Sequence, residues 1–184
     1  MIQKYTYGTP FETDAIVTSI PASEGTPAYG TISTENGFSF TYDMDDNDVV
    51  YGLGESSRGI NKRGYVYESN CSDQPNHTED KISLYGAHNF LVISGKQTFG
   101  LFVDYPGKLK FDIGYTLSSQ LKITCEDADL YLYVIEGETP YDIVKQFRKI
   151  IGRSYIPPKF AFGFGQSRCC LLYTSPSPRD KRQS

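Results

Sequence analysis

The densest group of side chains that could do chemistry lies in the segment 73–80, whose sequence is DQPNHTED. Three carboxylates, two amides and one of the chain's two histidines occur there. His77, Glu79 and Asp80 are possible metal ligands, but three ligands so close together on a loop cannot easily converge on one ion without a distant fourth. A long polar loop that bears carboxylates and amides suits a ligand rich in hydroxyl groups. The segment therefore favours a ligand-contacting loop over a solvated loop or a metal site, and we expect no metal ion and no other cofactor.

A second acidic run, at residues 43–48, resembles part of a calcium-binding loop. Asp43, Asp45 and Asn47 match the first, third and fifth ligands of an EF-hand. However, Asp48 occupies the position that requires glycine, and Gly54 the position that requires glutamate. The pattern instead predicts a solvated hairpin turn between two strands.

The sequence contains neither a complete phosphate-binding loop nor a nucleophilic catalytic group. The Gly-Leu-Gly at 52–54 and the Gly-Phe-Gly at 163–165 each lack the third glycine and the strand–turn–helix context of a phosphate-binding loop. No serine or cysteine has a plausible histidine partner for nucleophilic catalysis.

The composition is that of a globular domain, because 39% of the residues are hydrophobic and 14% are aromatic. The formal net charge of −4 makes nucleic acid and anionic membranes poor partners. Residues 1–17 lack the continuous apolar stretch of a signal peptide, so we expect a cytoplasmic protein. Cys71 and Cys125 are the only cysteines before residue 169, too few for a disulfide-stapled fold.

Alternating apolar residues predict a mainly β fold, an antiparallel sandwich. Segments with this alternation, or bounded by turn residues, are 38–42, 97–103, 109–115, 121–125 and 129–135. In the last segment both sets of alternating side chains are apolar, which predicts a strand covered on two sides. A Tyr-Pro-Gly turn at 105–107 is expected to join the second segment to the third.

One helix is predicted after these strands. Thr139 suits the N-cap, Pro140 the first helical position, and Asp142 the negatively charged first turn. Apolar residues then recur at helical spacing until Gly152, and the di-proline at 157–158 prevents continuation.

Five segments, taken in order, resemble the N-terminal region of glycoside hydrolase family 31, the α-glucosidase family. They are YGLGE at 51–55, LYGAHNF at 84–90, TFGLFV at 98–103, GETPY at 137–141, and IGRSYIPP at 151–158 followed by FAFG at 160–163 and Arg168. Together they cover roughly residues 30–168, and the likeness is greatest to bacterial cytoplasmic α-glucosidases. The resemblance implies a galactose-mutarotase-like β-sandwich at 1–155, and at 156–168 the first strand of a (β/α)8 catalytic barrel that the chain otherwise lacks.

The resemblance also implies the chemistry of the intact parent. Retaining enzymes of this family attack an α-glucoside with two aspartates, held about 5–5.5 Å apart. Both belong to the missing barrel, so no residue of this chain is assigned a catalytic role and the chain alone is expected to be inactive. The implied partner is an α-glucoside oligosaccharide.

One binding role is implied for this chain. In the family a loop of the sandwich reaches over the barrel mouth and contributes an aspartate to the sugar beyond the scissile bond. That loop precedes the Leu-Tyr-Gly motif, which assigns the role to Asp73, with Gln74 as a weaker candidate and Asp80 as the rival if the register differs. A carboxylate suits this task because it can accept hydrogen bonds from two hydroxyls.

The likeness ends at Cys169. The remaining segment, 169–184, has no helical or strand period and is basic where the rest is acidic. We expect it to be a disordered tail of non-native sequence. A stand-alone carbohydrate-binding or mutarotase-like module, or a structural domain that stabilises a partner, are the alternative functions.

Overall fold

The computed structural model describes residues 1–164, and its main unit is Met1–Arg153. Two five-stranded antiparallel sheets form a sandwich, which confirms the predicted fold class. The predicted tail at 169–184 and the end of the predicted barrel strand, 165–168, lie outside the described residues.

The strands alternate irregularly between the two sheets along the chain. In chain order they are β1 (Ile2–Tyr7), β2 (Thr31–Ser33), β3 (Phe38–Asp43), β4 (Val49–Gly54), β5 (Tyr65–Ser69), β6 (Ala87–Ser94), β7 (Thr98–Asp104), β8 (Leu109–Ile113), β9 (Gln120–Cys125) and β10 (Leu130–Glu136). The first sheet has the order β1-β10-β7-β6-β4, and the second sheet has the order β2-β3-β9-β8-β5.

Strand β10 has two buried faces, as the sequence predicts. Leu130, Leu132 and Val134 belong to the core between the sheets. Tyr133 and Ile135 point the other way, into a second core on the outer face of the first sheet. A strand that is covered on both sides must be apolar at successive positions, which explains its unbroken apolar sequence.

Helix α1 (Pro140–Ile151) supplies the cover for this second core. The backbone N–H of Asp142 donates to the Thr139 hydroxyl, and the Thr139 N–H donates to the Asp142 carboxylate, which completes a capping box. Ile143, Phe147 and Ile150 are buried against the sheet. The predicted helix is confirmed together with its cap, and no helix in residues 1–164 is long and apolar enough to span a membrane.

The acidic run at 43–48 is not the solvated hairpin turn that the sequence predicts. Strand β3 lies in the second sheet and β4 in the first, so the run crosses between sheets. Asp48 is buried, with 2% of its surface exposed, and accepts hydrogen bonds from the Tyr42 hydroxyl and the backbone N–H groups of Asp45 and Lys96. Its carboxylate therefore stabilises the crossing by hydrogen bonds to these groups instead of facing water.

Residues 156–164 also differ from their prediction as part of the barrel strand 156–168. Lys159–Phe162 form a single 3-10 turn, and no strand occurs between residues 154 and 164. Phe160, Phe162 and Phe164 are all exposed. A strand needs a neighbour to pair its backbone groups, and alternation alone does not supply one.

Candidate functional site

The polar segment singled out in the sequence belongs to a loop, 70–86, between β5 of the second sheet and β6 of the first. Its two arms are bonded to each other at the base. The Ser72 N–H donates to the Leu84 carbonyl at 2.9 Å, and the Glu68 N–H at the end of β5 donates to the Ile82 carbonyl at 2.8 Å. The Leu84 side chain is buried, with 4% exposed, and anchors the returning arm. The loop therefore has a fixed base and an exposed tip.

Asp73 is exposed on the outgoing arm and is held by a tyrosine on the returning arm. The Tyr85 hydroxyl donates a hydrogen bond of 2.6 Å to Asp73 Oδ1. The His77 ring meets the Tyr85 ring edge-on, with 5.5 Å between ring centroids. A hydrogen bond from a hydroxyl to a carboxylate is stronger than one between neutral groups. The loop thus presents a carboxylate whose direction is set by a neighbouring side chain. Gln74, beside it, is partly buried.

Asp80, the rival position, makes its contacts within the loop itself. It lies 3.8 Å from Lys81 Nζ, and a hydrogen bond from Thr78 lowers the pKa of its carboxyl group. Across residues 1–164 no three His, Cys, Asp or Glu side chains are grouped so as to hold a metal ion. The cluster at 73–80 is therefore spread along the loop rather than gathered at one point.

Arg58 connects the loop tip to the second sheet. Its Nε donates to the Glu79 carbonyl at 2.6 Å, and its Nη1 donates to the Val66 carbonyl at 2.8 Å. The guanidinium carbon is 4.4 Å from the ring centroid of Tyr65 and 5.0 Å from that of Tyr67. Such stacking is favourable for a planar cation. The Arg58 side chain, which belongs to neither element, thus links the loop to β5.

The YGLGE and LYGAHNF motifs meet directly beside this loop. The register of β4 against β6 shifts between Gly52 and Gly54, where Leu53 has a positive φ of 68° although its side chain is buried. A Cβ on Gly54 would lie 2.3 Å from the Gly86 carbonyl oxygen, so this close approach requires glycine. The Glu55 N–H donates to that carbonyl at 2.6 Å, and the Gly86 N–H donates to Glu55 Oε2 at 3.0 Å. The bulge therefore places Glu55 where it hydrogen-bonds to both backbone groups of Gly86, the residue after Tyr85.

A groove of about 700 Å³ adjoins the start of the loop. Its polar lining includes Asn70, His88, Asn89 and Asp104. Asp104 is 5% exposed and accepts a hydrogen bond of 2.6 Å from the Thr13 hydroxyl, while burial raises the pKa of its carboxyl group. Such a lining can hydrogen-bond hydroxyls. Glycoside hydrolysis needs two carboxylates that flank the scissile bond, and among the groove's lining residues Asp104 is the one carboxylate.

Residues 10–112 match the model of the glycosyl hydrolase 31 N-terminal galactose mutarotase-like domain. The chain belongs to glycosyl hydrolase family 31. The matched range begins after β1 and ends within β8, so it contains the loop 70–86 and both motifs that meet beside it.

Similar proteins share this domain but are several times longer. The chain is 31% identical over 144 residues to α-glucosidase 2 of Bacillus thermoamyloliquefaciens, which covers 73% of the chain and 18% of that enzyme. It is 27% identical to an α-xylosidase of Lactiplantibacillus pentosus over 65% of the chain and 15% of that protein. A solved structure of a Flavobacterium johnsoniae family 31 dextranase complexed with isomaltotriose superposes with a TM-score of 0.66 at 26% identity, covering 72% of the chain and 16% of the dextranase. The chain thus spans less than a fifth of each relative.

Within this family 31 domain, the sequence nominates Asp73, which stays a prediction, but not the residues that contact its loop. Arg58 carries no pattern of its own, because its partners are backbone carbonyls of two distant segments. Glu55 and Tyr85 stood inside recognised motifs, and the conspicuous Gly-X-Gly before Glu55 was the available signal. Their relation to each other depends on the bulge and is visible only in three dimensions.

Proposed function

We propose that this chain is the N-terminal domain of a retaining α-glucosidase, and that its loop 70–86 brings Asp73 to the sugar beyond the scissile bond. The observation that carries the proposal is an exposed carboxylate, held in direction by Tyr85, on a loop of a family 31 domain. The α-glucosidase named among the relatives and the isomaltotriose-bound dextranase support an α-glucoside oligosaccharide as the substrate class.

The role of Asp73 is binding rather than catalysis. Its carboxylate accepts hydrogen bonds from sugar hydroxyls, which orients the sugar on the leaving-group side. Gln74 offers an amide to the same region. The nucleophile and the acid/base are two carboxylates that the barrel contributes, and the sandwich cannot replace the charge stabilisation they provide in the transition state. The 184-residue chain alone therefore hydrolyses no glucoside.

Hydrolysis assays test both parts of the proposal. The 184-residue chain is assayed on maltose, isomaltose and a chromogenic α-glucoside, and we expect no turnover. The complete protein, with its barrel, is then compared as the parent, the Asp73→Ala variant and the Asp80→Ala variant. We expect Asp73→Ala to raise KM for oligosaccharides by about tenfold or more, the scale of a lost charged hydrogen bond, and Asp80→Ala to leave KM near the parent value.

Three results would contradict the proposal. Turnover by the 184-residue chain at a rate near that of its relatives would show that the chain carries its own catalytic groups. An unchanged KM for Asp73→Ala with a raised KM for Asp80→Ala would move the binding role to the rival residue. Calorimetric binding of sugar by the 184-residue chain, abolished by Asp73→Ala, would favour a stand-alone carbohydrate-binding module.

A further inference from the structure

The carboxylate of Asp73 lies on the exposed arm of a loop, where a side chain can adopt several rotamers. Binding a sugar in one geometry costs free energy when the side chain must first be ordered. A contact that fixes the carboxylate before the sugar arrives removes part of that cost. A residue that contacts Asp73 can therefore act on the substrate indirectly.

Tyr85 makes such a contact. Its hydroxyl donates to Asp73 Oδ1 at 2.6 Å, across the two arms of the loop. Tyr85 follows Leu84, whose side chain is buried in the core, and precedes Gly86. Its backbone is thus fixed on both sides, by burial before it and by hydrogen bonds after it.

Glu55 supplies the hydrogen bonds on the far side. The Glu55 N–H donates to the Gly86 carbonyl, and the Gly86 N–H donates to the Glu55 carboxylate, so one residue satisfies both backbone groups of the other. Positive φ angles at 52, 53 and 54 turn the end of β4 so that Glu55 reaches this position. A continuous series of contacts leads from β4 through Glu55, Gly86 and Tyr85 to Asp73.

We propose that Tyr85 is a positioning residue that orients the Asp73 carboxylate for the substrate, and that Glu55 holds Tyr85 in place through Gly86. This inference rests on the proposed contact of Asp73 with the sugar. It assigns a task to the YGLGE motif, which by its glycines alone resembled an incomplete phosphate-binding loop.

A double-mutant cycle in the complete enzyme separates positioning from direct contact. The variants are Tyr85→Phe, which removes only the hydroxyl, Asp73→Ala, and the two together. We expect Tyr85→Phe to raise KM about three- to tenfold while kcat stays within about twofold, because one charge-assisted hydrogen bond is lost and the reacting atoms are untouched. In the Asp73→Ala background the same change should leave KM unaltered.

Glu55 is tested by a graded pair. Glu55→Ala removes the acceptor for the Gly86 N–H and should raise KM. Glu55→Gln keeps an oxygen at that point, so its KM should lie near the parent value. In the 184-residue chain, hydrogen exchange of the Gly86 amide should be faster in Glu55→Ala than in Glu55→Gln. Circular dichroism melts of each variant check that the domain is folded, and the exposed location of Glu55 and Tyr85 makes large losses of stability unexpected.

Each outcome is decisive. A raised KM for Asp73→Ala with no effect of Tyr85→Phe would overturn the positioning role and leave the proposed function intact. Effects of the two changes that multiply would mean that Tyr85 acts on the sugar independently of Asp73, which also overturns it. An unaltered KM for Asp73→Ala would refute the proposed function itself, and the inference would fall with it.

Discussion

Replacing Gly100 by alanine tests how tightly helix α1 is seated on the first sheet. Gly100 lies in β7, beneath the helix, and a Cβ built there would be 2.4 Å from Ile143 Cγ2 and 3.3 Å from Phe90 Cε2. Carbon atoms in contact are ordinarily about 3.5–4.0 Å apart. The first distance is therefore a collision of more than an ångström with a side chain that is fully buried.

The expected cost is that of overpacking a buried site. Gly100 does not have a positive φ, so the added methyl group causes crowding without backbone strain. Overpacking of this kind destabilises by about 1–3 kcal/mol. For a domain of this size that corresponds to a melting temperature lower by roughly 3–10 °C.

Ile143→Ala provides the matched control, since it removes the atom with which the new methyl group collides. Alone it should cost about 2–5 kcal/mol through the cavity it leaves. In that background Gly100→Ala should cost close to nothing, because its methyl group enters the vacated space. The two changes should thus be coupled by about 1 kcal/mol or more.

Urea denaturation followed by far-ultraviolet circular dichroism measures these free energies of unfolding. The chain contains no tryptophan, so fluorescence of its fifteen tyrosines provides the second probe. The reasoning fails if Gly100→Ala is as stable as the parent, or if its cost is the same with isoleucine and with alanine at 143.

Three further predictions follow from buried groups. Asp48→Ala should lower the free energy of unfolding by about 3 kcal/mol, because it strands three donors at a buried crossing, whereas the exposed Asp46→Ala should change it little; urea denaturation measures both, and equal effects would contradict the assignment. The pKa of Asp104 is raised in the folded state. Between its unfolded and folded pKa, the folded protein therefore holds a proton that the unfolded chain has released, so the free energy of unfolding falls as the pH rises through this range. Asp104→Asn should raise stability at pH 7 and flatten this part of the curve, and an unchanged pH profile of thermal melts would argue against it. Burial raises the pKa of the Cys125 thiol to about 11 while Cys71 is exposed, so iodoacetamide at pH 8 should modify Cys71 in the native chain and Cys125 only after denaturation, as peptide mass spectrometry resolves.

The sequence predicts those elements whose signal is local, either an alternation of apolar side chains or a helix cap. The two apolar faces of β10 specify a strand between two layers, and the threonine and aspartate at 139 and 142 specify the start of α1. Strands such as β1, with Gln3, Lys4 and Thr6 among its residues, carry a weaker pattern because they gain their order by pairing with β10.

The path of the chain between the two sheets is harder to predict from the sequence. The residues 43–48 have the chemistry of a turn, but turn chemistry does not distinguish a hairpin from a crossing between sheets. One of the hydrogen bonds to the buried Asp48 comes from the backbone of Lys96, in a distant turn. In the loop 70–86 the resemblance nominated Asp73, which stays a prediction. The contacts that Arg58 and Glu55 make with the loop could not be inferred, because both residues lie in the segment after the bulged end of β4, whose direction no local pattern encodes.

The position of β10 has a consequence for how the domain comes into being. It lies between β1 and β7, and Ile2 pairs with Ile135, so the first strand to be synthesised waits for the last strand within residues 1–164. A nascent chain that ends before residue 136 exposes the edges of both neighbours, which invites pairing with other chains. Pairing of such non-local strands is also slow. The first sheet therefore stays unfinished on the ribosome until β10, the strand that joins β1 to the rest of the sheet, emerges.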